Sequence, residues 1–168
     1  MTPVVSIIMG SASDLPVMEK AAAFLDEMEI PFEMHALSAH RTPEEVEAFA
    51  KGARQRGVKV IIAAAGMAAH LCGVIASMTT LPVIGVPVSS TLNGMDALMS
   101  IVQMPPGIPV GTVGIDASLN SAIFAAQILS VADESLQNKI AAYKEKLKEK
   151  IVKANSELLA VKYRYKTN

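Results

Sequence analysis

One cysteine, no tryptophan and an aromatic share of 4% deprive this 168-residue chain of several usual means of holding a fold together. A lone thiol, Cys72, cannot form an internal disulfide, which excludes a cross-linked secreted scaffold and leads us to expect a reducing, cytoplasmic setting. With hydrophobic residues nonetheless at 51%, the core has to come from Ala, Val, Ile, Leu and ten Met. A chain of this size forms one domain that buries roughly two thirds of its unfolded surface without staples.

Uninterrupted apolar runs are also missing. The first, Val4 to Met9, ends at Gly10-Ser11 and is too short for an export signal. The longest apolar region, Val58 to Val88, is broken by Lys59, Gly66, His70, Gly73 and Pro82, so a membrane partner is not expected. Net charge is only −1, which removes any bulk pull toward a polyanion. Residues 139 to 166 do hold nine of the 15 basic side chains, but these alternate with Glu145, Glu149 and apolar residues as on a solvated helix. Nucleic acid is therefore not an expected partner.

What is present is alternation. Val4 to Met9 reads as a strand buried on both faces, followed by a Gly-Ser-Ala-Ser-Asp turn and an amphipathic helix from Leu15 to Met28. Phe32 to Leu37 is a second strand. Thr42-Pro43-Glu44-Glu45 then offers an N-cap, a first-turn proline and a capping-box glutamate for a helix running to Arg56, where Gly57 stops it. Further strands are expected at Val58 to Ala64, Pro82 to Val86 and Val110 to Ile115. Helices are expected at Gly66 to Met78, Met95 to Val102, Ala117 to Ala132 and Glu134 to Ala160.

Repeated βα units predict an α/β fold of three layers: a doubly wound parallel sheet in flavodoxin-like order with a long C-terminal helix. The reading is of a single domain, with its core in residues 3–132 and a helical extension over 134–165 that packs on neighbouring subunits. The segment from Gly66 to Met78 is apolar or small on every side, as a fully buried helix would be, so a homo-oligomer is expected.

In such a sheet the loops after successive strands converge on one edge. The first carries Ser11, Ser13 and Asp14 at a helix start, where free amides favour phosphate and a carboxylate suits a sugar hydroxyl; helix capping is the plainer reading. The second carries Ser38, His40 and Arg41: a guanidinium can clamp phosphate, and histidine is the side chain suited to moving a proton near neutral pH. Ordinary surface-loop residues are the alternative. The third carries Gly66 and His70, with small neighbours that let a ligand approach the backbone; a satisfied core histidine is the alternative there. His35, inside a strand, is read as structural. Phosphate-binding glycine motifs for nucleoside triphosphates or dinucleotides are absent, and three dispersed histidines and one cysteine show no metal-ligand spacing. Cys72 sits in an apolar helix and reads as inert.

Four motifs in order then carry a family likeness: Met9-Gly10-Ser11-x-Ser13-Asp14, Ser38-Ala39-His40-Arg41-Thr42-Pro43, Ala69-His70-Leu71, and Gln103-Met104-Pro105-x-Gly107-Ile108-Pro109-Val110. Through them the chain resembles, over essentially its whole length, the bacterial 5-(carboxyamino)imidazole ribonucleotide mutases of purine biosynthesis. The resemblance implies a cofactor-free, metal-free isomerase. It would move a carboxylate from the exocyclic nitrogen of the phosphoribosyl aminoimidazole to ring carbon four by decarboxylation, CO2 trapping and recarboxylation. It implies that Ser11, Asp14 and Arg41 bind substrate with help from Ser13 and Ser38, that His40 is the general acid/base with His70 as a second catalytic residue, and that His70 and the substrate-binding Gly66 and Leu71 enclose the reacting end. It also implies an octamer with sites at subunit contacts. The chain departs from the family at Met67 and Cys72, where the mutases usually carry glycine and proline.

Two alternatives stand beside this reading. One is the related carboxylase, which adds free CO2 to aminoimidazole ribonucleotide and whose second loop resembles Ser-Ala-His-Lys-Thr. The other is a non-catalytic module that binds a phosphorylated metabolite, because this type of fold hosts many functions.

Overall fold

The computed structural model describes all residues, Met1–Asn168. Five strands, β1 (Val5–Met9), β2 (Phe32–Ala36), β3 (Val60–Gly66), β4 (Val83–Val88) and β5 (Gly111–Thr112), form one parallel sheet in the order β2-β1-β3-β4-β5. Six helices join and flank them: α1 (Leu15–Glu27), α2 (Pro43–Gly52), α3 (Leu71–Met78), α4 (Met95–Val102), α5 (Ser118–Ser130) and α6 (Glu134–Ala160). The flavodoxin-like order and the long final helix are as the sequence predicts.

Strand alternation divides the core into two. Ile7, Met9, Val60, Ile62 and Ala64 pack under α1, α5 and the start of α6. Ile8, Ile61, Ala63 and Ala65 pack under α2, α3 and α4. Each branched side chain removed from water in this way contributes roughly 1.5–3 kcal/mol, which is why the central strand β3 can be apolar at consecutive positions.

Three expected elements are shorter than the sequence suggests and a fourth, the third strand, is shifted by two residues, each for a local reason. The third helix starts at Leu71, not Gly66, because Met67 adopts a left-handed φ of 55° that cannot continue into a right-handed turn. It is also not buried all round: Leu71, Cys72 and Ile75 face the core, while Ser77 is exposed. The second helix ends at Gly52, and its expected cap is absent. The Thr42 hydroxyl turns back to accept from the Ser38 amide at 2.9 Å and to donate to the Ser38 carbonyl at 3.1 Å, bracing the loop instead of the helix. Strand β5 keeps only two laddered residues, since Val113 still donates to the Gly85 carbonyl but the next donor due from β4 is Pro87, which has no N–H. The third strand starts at Val60, two residues later than expected, after the turn at Gly57 (φ 96°).

A partly buried polar link ties β1 to β2 and to the turn after α2. Glu33 accepts from the Ser6 hydroxyl at 2.7 Å and from Arg56 Nη2 at 3.0 Å. Burial pushes the Glu33 carboxyl up, but these hydrogen bonds and the Arg56 charge outweigh it and hold the group below its ordinary value near 4.5. A carboxyl depressed in the fold stabilises it above the unfolded value and ceases to as pH falls through the folded value. Glu33→Gln is therefore expected to be less stable than the parent at about pH 7, with the gap narrowing as pH falls below the ordinary carboxyl value, as urea unfolding at neutral and at acid pH would measure.

Candidate active site

The loops that leave β1, β2, β3 and β4 at their carboxyl ends surround a cavity of about 820 Å3. Its wall includes every residue singled out from the sequence for binding or chemistry: Ser11, Ser13, Asp14, Ser38, His40, Arg41, Gly66, His70 and Leu71. The volume suits a small metabolite. A second cavity, of about 290 Å3, lies by Val4, Pro31 and Lys59 at the start of the strands, and its Lys139 is already paired with Glu29.

The first loop leaves β1 through Gly10 and tightens into a short turn in which the Ser11 hydroxyl accepts from the Ser13 amide at 3.3 Å and from the Ser13 hydroxyl at 3.0 Å. Ser11 thus caps this turn. Asp14 stands at the start of α1 without capping it, so its carboxylate remains available in the cavity wall. Burial raises the Asp14 carboxyl above the ordinary range, against the lowering influence of Ser11, Ser13 and the charge of Arg41. A partly desolvated carboxylate of this kind suits a ligand hydroxyl as donor.

In the second loop Ser38 is the organiser. Its hydroxyl accepts from the Arg41 amide at 3.3 Å, from the His40 amide at 3.4 Å and from Arg41 Nε at 3.3 Å. Arg41 Nη2 then crosses to the first loop and donates to the Gly10 carbonyl at 3.0 Å. The guanidinium is locked between two loops by neutral acceptors, and no carboxylate lies within ion-pair distance of it. Its charge is left for an anion in the cavity.

The third loop brings the partner that sequence alone could not pair. His40 Nε2 lies 2.7 Å from His70 Nδ1, with the rings crossed edge to face at 81°. At that distance one nitrogen donates and the other accepts, so a single proton sits between the rings and each ring fixes the tautomer of the other. His70 is exposed at the cavity, not a satisfied core residue. Leu71 is 3% exposed and supplies the apolar floor. Met67, 55% exposed and left-handed, overhangs the mouth.

Cys72 is fully buried, its Sγ donates to the Ala63 carbonyl at 3.2 Å, and burial pushes its thiol up to about 12. It is structural, as expected. His35 packs against the Phe49 ring within β2, away from the cavity. No three His, Cys, Asp or Glu side chains are grouped so as to hold a metal ion, and no helix is long and apolar enough to cross a membrane.

The fourth loop went unread in the sequence. Val88, Ser89 and Ser90 complete the wall, and the signal for them was available: a serine pair directly after a buried strand, the pattern that marked the loop after β1.

Fold and site together define a class: an α/β protein with a cavity at the carboxyl ends of its strands whose wall holds an unneutralised arginine and a histidine pair. Known proteins narrow it further. The family model described as AIR carboxylase matches residues 4–150. The N5-carboxyaminoimidazole ribonucleotide mutase of Pyrococcus abyssi (strain GE5 / Orsay) is 56% identical over 147 residues, covering 87% of this chain and 84% of that protein. The mutase of the same name from Bacillus subtilis (strain 168) is 51% identical over 162 residues, covering 95% of this chain and 100% of that one. A crystal structure of Treponema denticola PurE superposes with a TM-score of 0.84 at 31% identity, covering 93% of this chain and 98% of that one. The chain belongs to the AIR carboxylase family.

Proposed function

We propose that this protein is an N5-carboxyaminoimidazole ribonucleotide mutase, an isomerase of purine biosynthesis. It converts 5-carboxyamino-1-(5-phosphoribosyl)imidazole to 5-amino-1-(5-phosphoribosyl)imidazole-4-carboxylate. The observation that carries the reading beyond family membership is the proton-sharing His40–His70 pair in a cavity whose wall also presents the unneutralised guanidinium of Arg41.

In the mechanism this suggests, Arg41, Ser11 and Ser13 hold the phosphate, with Ser38 keeping Arg41 in place, and Asp14 accepts from a ribose hydroxyl. The bond between the exocyclic nitrogen and the carboxylate carbon breaks, its electron pair stays on nitrogen, and CO2 is released into the pocket. Ring carbon four attacks that CO2, forming the new C–C bond. His40 removes the proton from carbon four while His70 sets its tautomer and accepts or returns the shared proton. The exocyclic nitrogen regains a proton. Containment and proton management are the whole requirement, since a carbamate loses CO2 readily. Gly66, Leu71 and Met67 close over the reacting end.

The protein works in the cytoplasm as a homo-oligomer, an octamer by family resemblance. The exposed apolar side chains in the outer half of α6, among them Leu147, Ile151 and Leu158, are the part that meets neighbouring subunits.

Purified protein given the carbamate without bicarbonate is expected to form the 4-carboxylate, and given aminoimidazole ribonucleotide without bicarbonate to form none. Failure to convert the carbamate would sink the mutase reading. Conversion of aminoimidazole ribonucleotide that rises with added bicarbonate, with none from the carbamate, would point to the carboxylase.

A further inference from the structure

Asp116 lies outside every motif that suggested the function, yet it hydrogen-bonds on both sides of Val88 at the fourth loop of the cavity. It occupies the turn after β5 with a left-handed φ of 54°, a conformation aspartate tolerates better than most residues. Its amide donates to the Pro87 carbonyl at 2.8 Å. Its carboxylate accepts twice from one residue, the Ser89 amide at 2.9 Å and the Ser89 hydroxyl through the other oxygen. Three hydrogen bonds from Asp116 therefore bracket Val88, where the chain leaves β4 and enters the cavity wall.

The bracketed loop touches the turn that delivers His70. A Cβ added at Gly66 would lie 3.2 Å from the Val88 carbonyl oxygen and 3.6 Å from the Ser90 Cβ, so the two loops pack backbone to backbone. On its far side the loop is held just as closely. Gly94, with φ 81°, leaves room for Ser89, and a Cβ there would come within 3.2 Å of the Ser89 Cα and 2.7 Å of Ile115. Ser90, which makes no side-chain hydrogen bond within the chain, is left facing the cavity.

We propose that Asp116 is a positioning residue for substrate: its carboxylate clamp on Ser89 sets the height of the Ser89-Ser90 wall and, through Gly66, the seat of the turn before His70. This inference rests on the mutase reading for its substrate, a phosphoribosyl ligand whose oxygens Ser90 and its neighbours would meet. The clamp lies at the exposed mouth, where a hydrogen bond adds little to folding, and so its loss reads out on the ligand.

The test compares steady-state kinetics of Asp116→Gly, Asp116→Asn and Ser89→Ala with the parent, using the carbamate as substrate. Asp116→Gly accepts the left-handed backbone but removes the clamp, and is expected to raise KM about tenfold with kcat within about threefold and the thermal midpoint unchanged. Asp116→Asn can still accept from the Ser89 amide and donate to its hydroxyl, and is expected to bring KM back to within about twofold. A parental KM in Asp116→Gly, or a lowered midpoint with no change in KM, overturns the proposal. Should Asp116→Gly fail to fold, Ser89→Ala decides: a KM raised about threefold or more at an unchanged midpoint supports the clamp, and an unchanged KM refutes it. The parent in the same series judges the mutase reading separately. If it does not turn over, the variants are ranked by their Kd for aminoimidazole ribonucleotide, measured calorimetrically, with the same expected order.

Discussion

His40→Asn is expected to lower turnover of the carbamate by about 10²–10⁴-fold while the Kd for aminoimidazole ribonucleotide stays within about threefold. The reason is local. Asparagine can keep a polar contact to His70 Nδ1 across the position now bridged at 2.7 Å, but it cannot take a proton at neutral pH. The His40 backbone amide, bonded to the Ser38 hydroxyl, is untouched, so the loop and its arginine keep their places. Stability should hardly change, because the side chain is exposed at the cavity. Rapid-quench turnover and calorimetric binding on the same preparation check both halves. Parental turnover would remove His40 from the chemistry, and lost binding would make it a ligand contact instead.

The second large effect is expected at Arg41, and with the opposite signature. Arg41→Ala should weaken binding of the phosphoribosyl ligand by about 10–100-fold, the range for a hydrogen bond to a charged group, and should raise KM far more than it lowers kcat. Arg41→Lys should recover little. The guanidinium reaches Ser38 Oγ through Nε and the Gly10 carbonyl through Nη2 at the same time, a fork that a single ammonium cannot reproduce. Titration calorimetry with aminoimidazole ribonucleotide and with its dephosphorylated nucleoside separates the phosphate's share. The two variants should discriminate against the nucleoside much less than the parent does. Equal loss for both ligands would place the phosphate elsewhere.

These residues were legible in the sequence because each lies directly after a strand, and parallel βα topology sends all such loops to one edge. That logic located Ser11, Asp14, His40, Arg41 and His70 together. It could not pair His40 with His70, because 30 residues separate them and the contact depends on how β1, β2 and β3 register in space. The same limit hid Asp116. Its partner Ser89 is 27 residues away, and nothing in the composition of the 113–117 turn marks an aspartate there as more than a turn former.

Where local reasoning misjudged an element, a backbone feature decided it. Thr42 looked like an N-cap because threonine before Pro43 and Glu45 is a strong capping signal. The hydroxyl instead serves the Ser38 loop, so a requirement of the site overrode a preference of the helix. Gly66 to Ala69 looked helical because small apolar residues fit a buried helix. Met67 in left-handed conformation turns this stretch into an open loop and lets His70 reach His40. Strained backbone at a cavity mouth is where function most often displaces local propensity.

The central claim is that the carboxylate moves within one bound substrate. It is tested most directly with carbamate labelled in its carboxylate carbon, turned over in excess unlabelled bicarbonate. Retention of most of the label at ring carbon four of the product is the result predicted for a pocket that holds CO2 between the two steps. Product carrying the label only at its diluted, solution level would contradict the account and assign the site to free CO2.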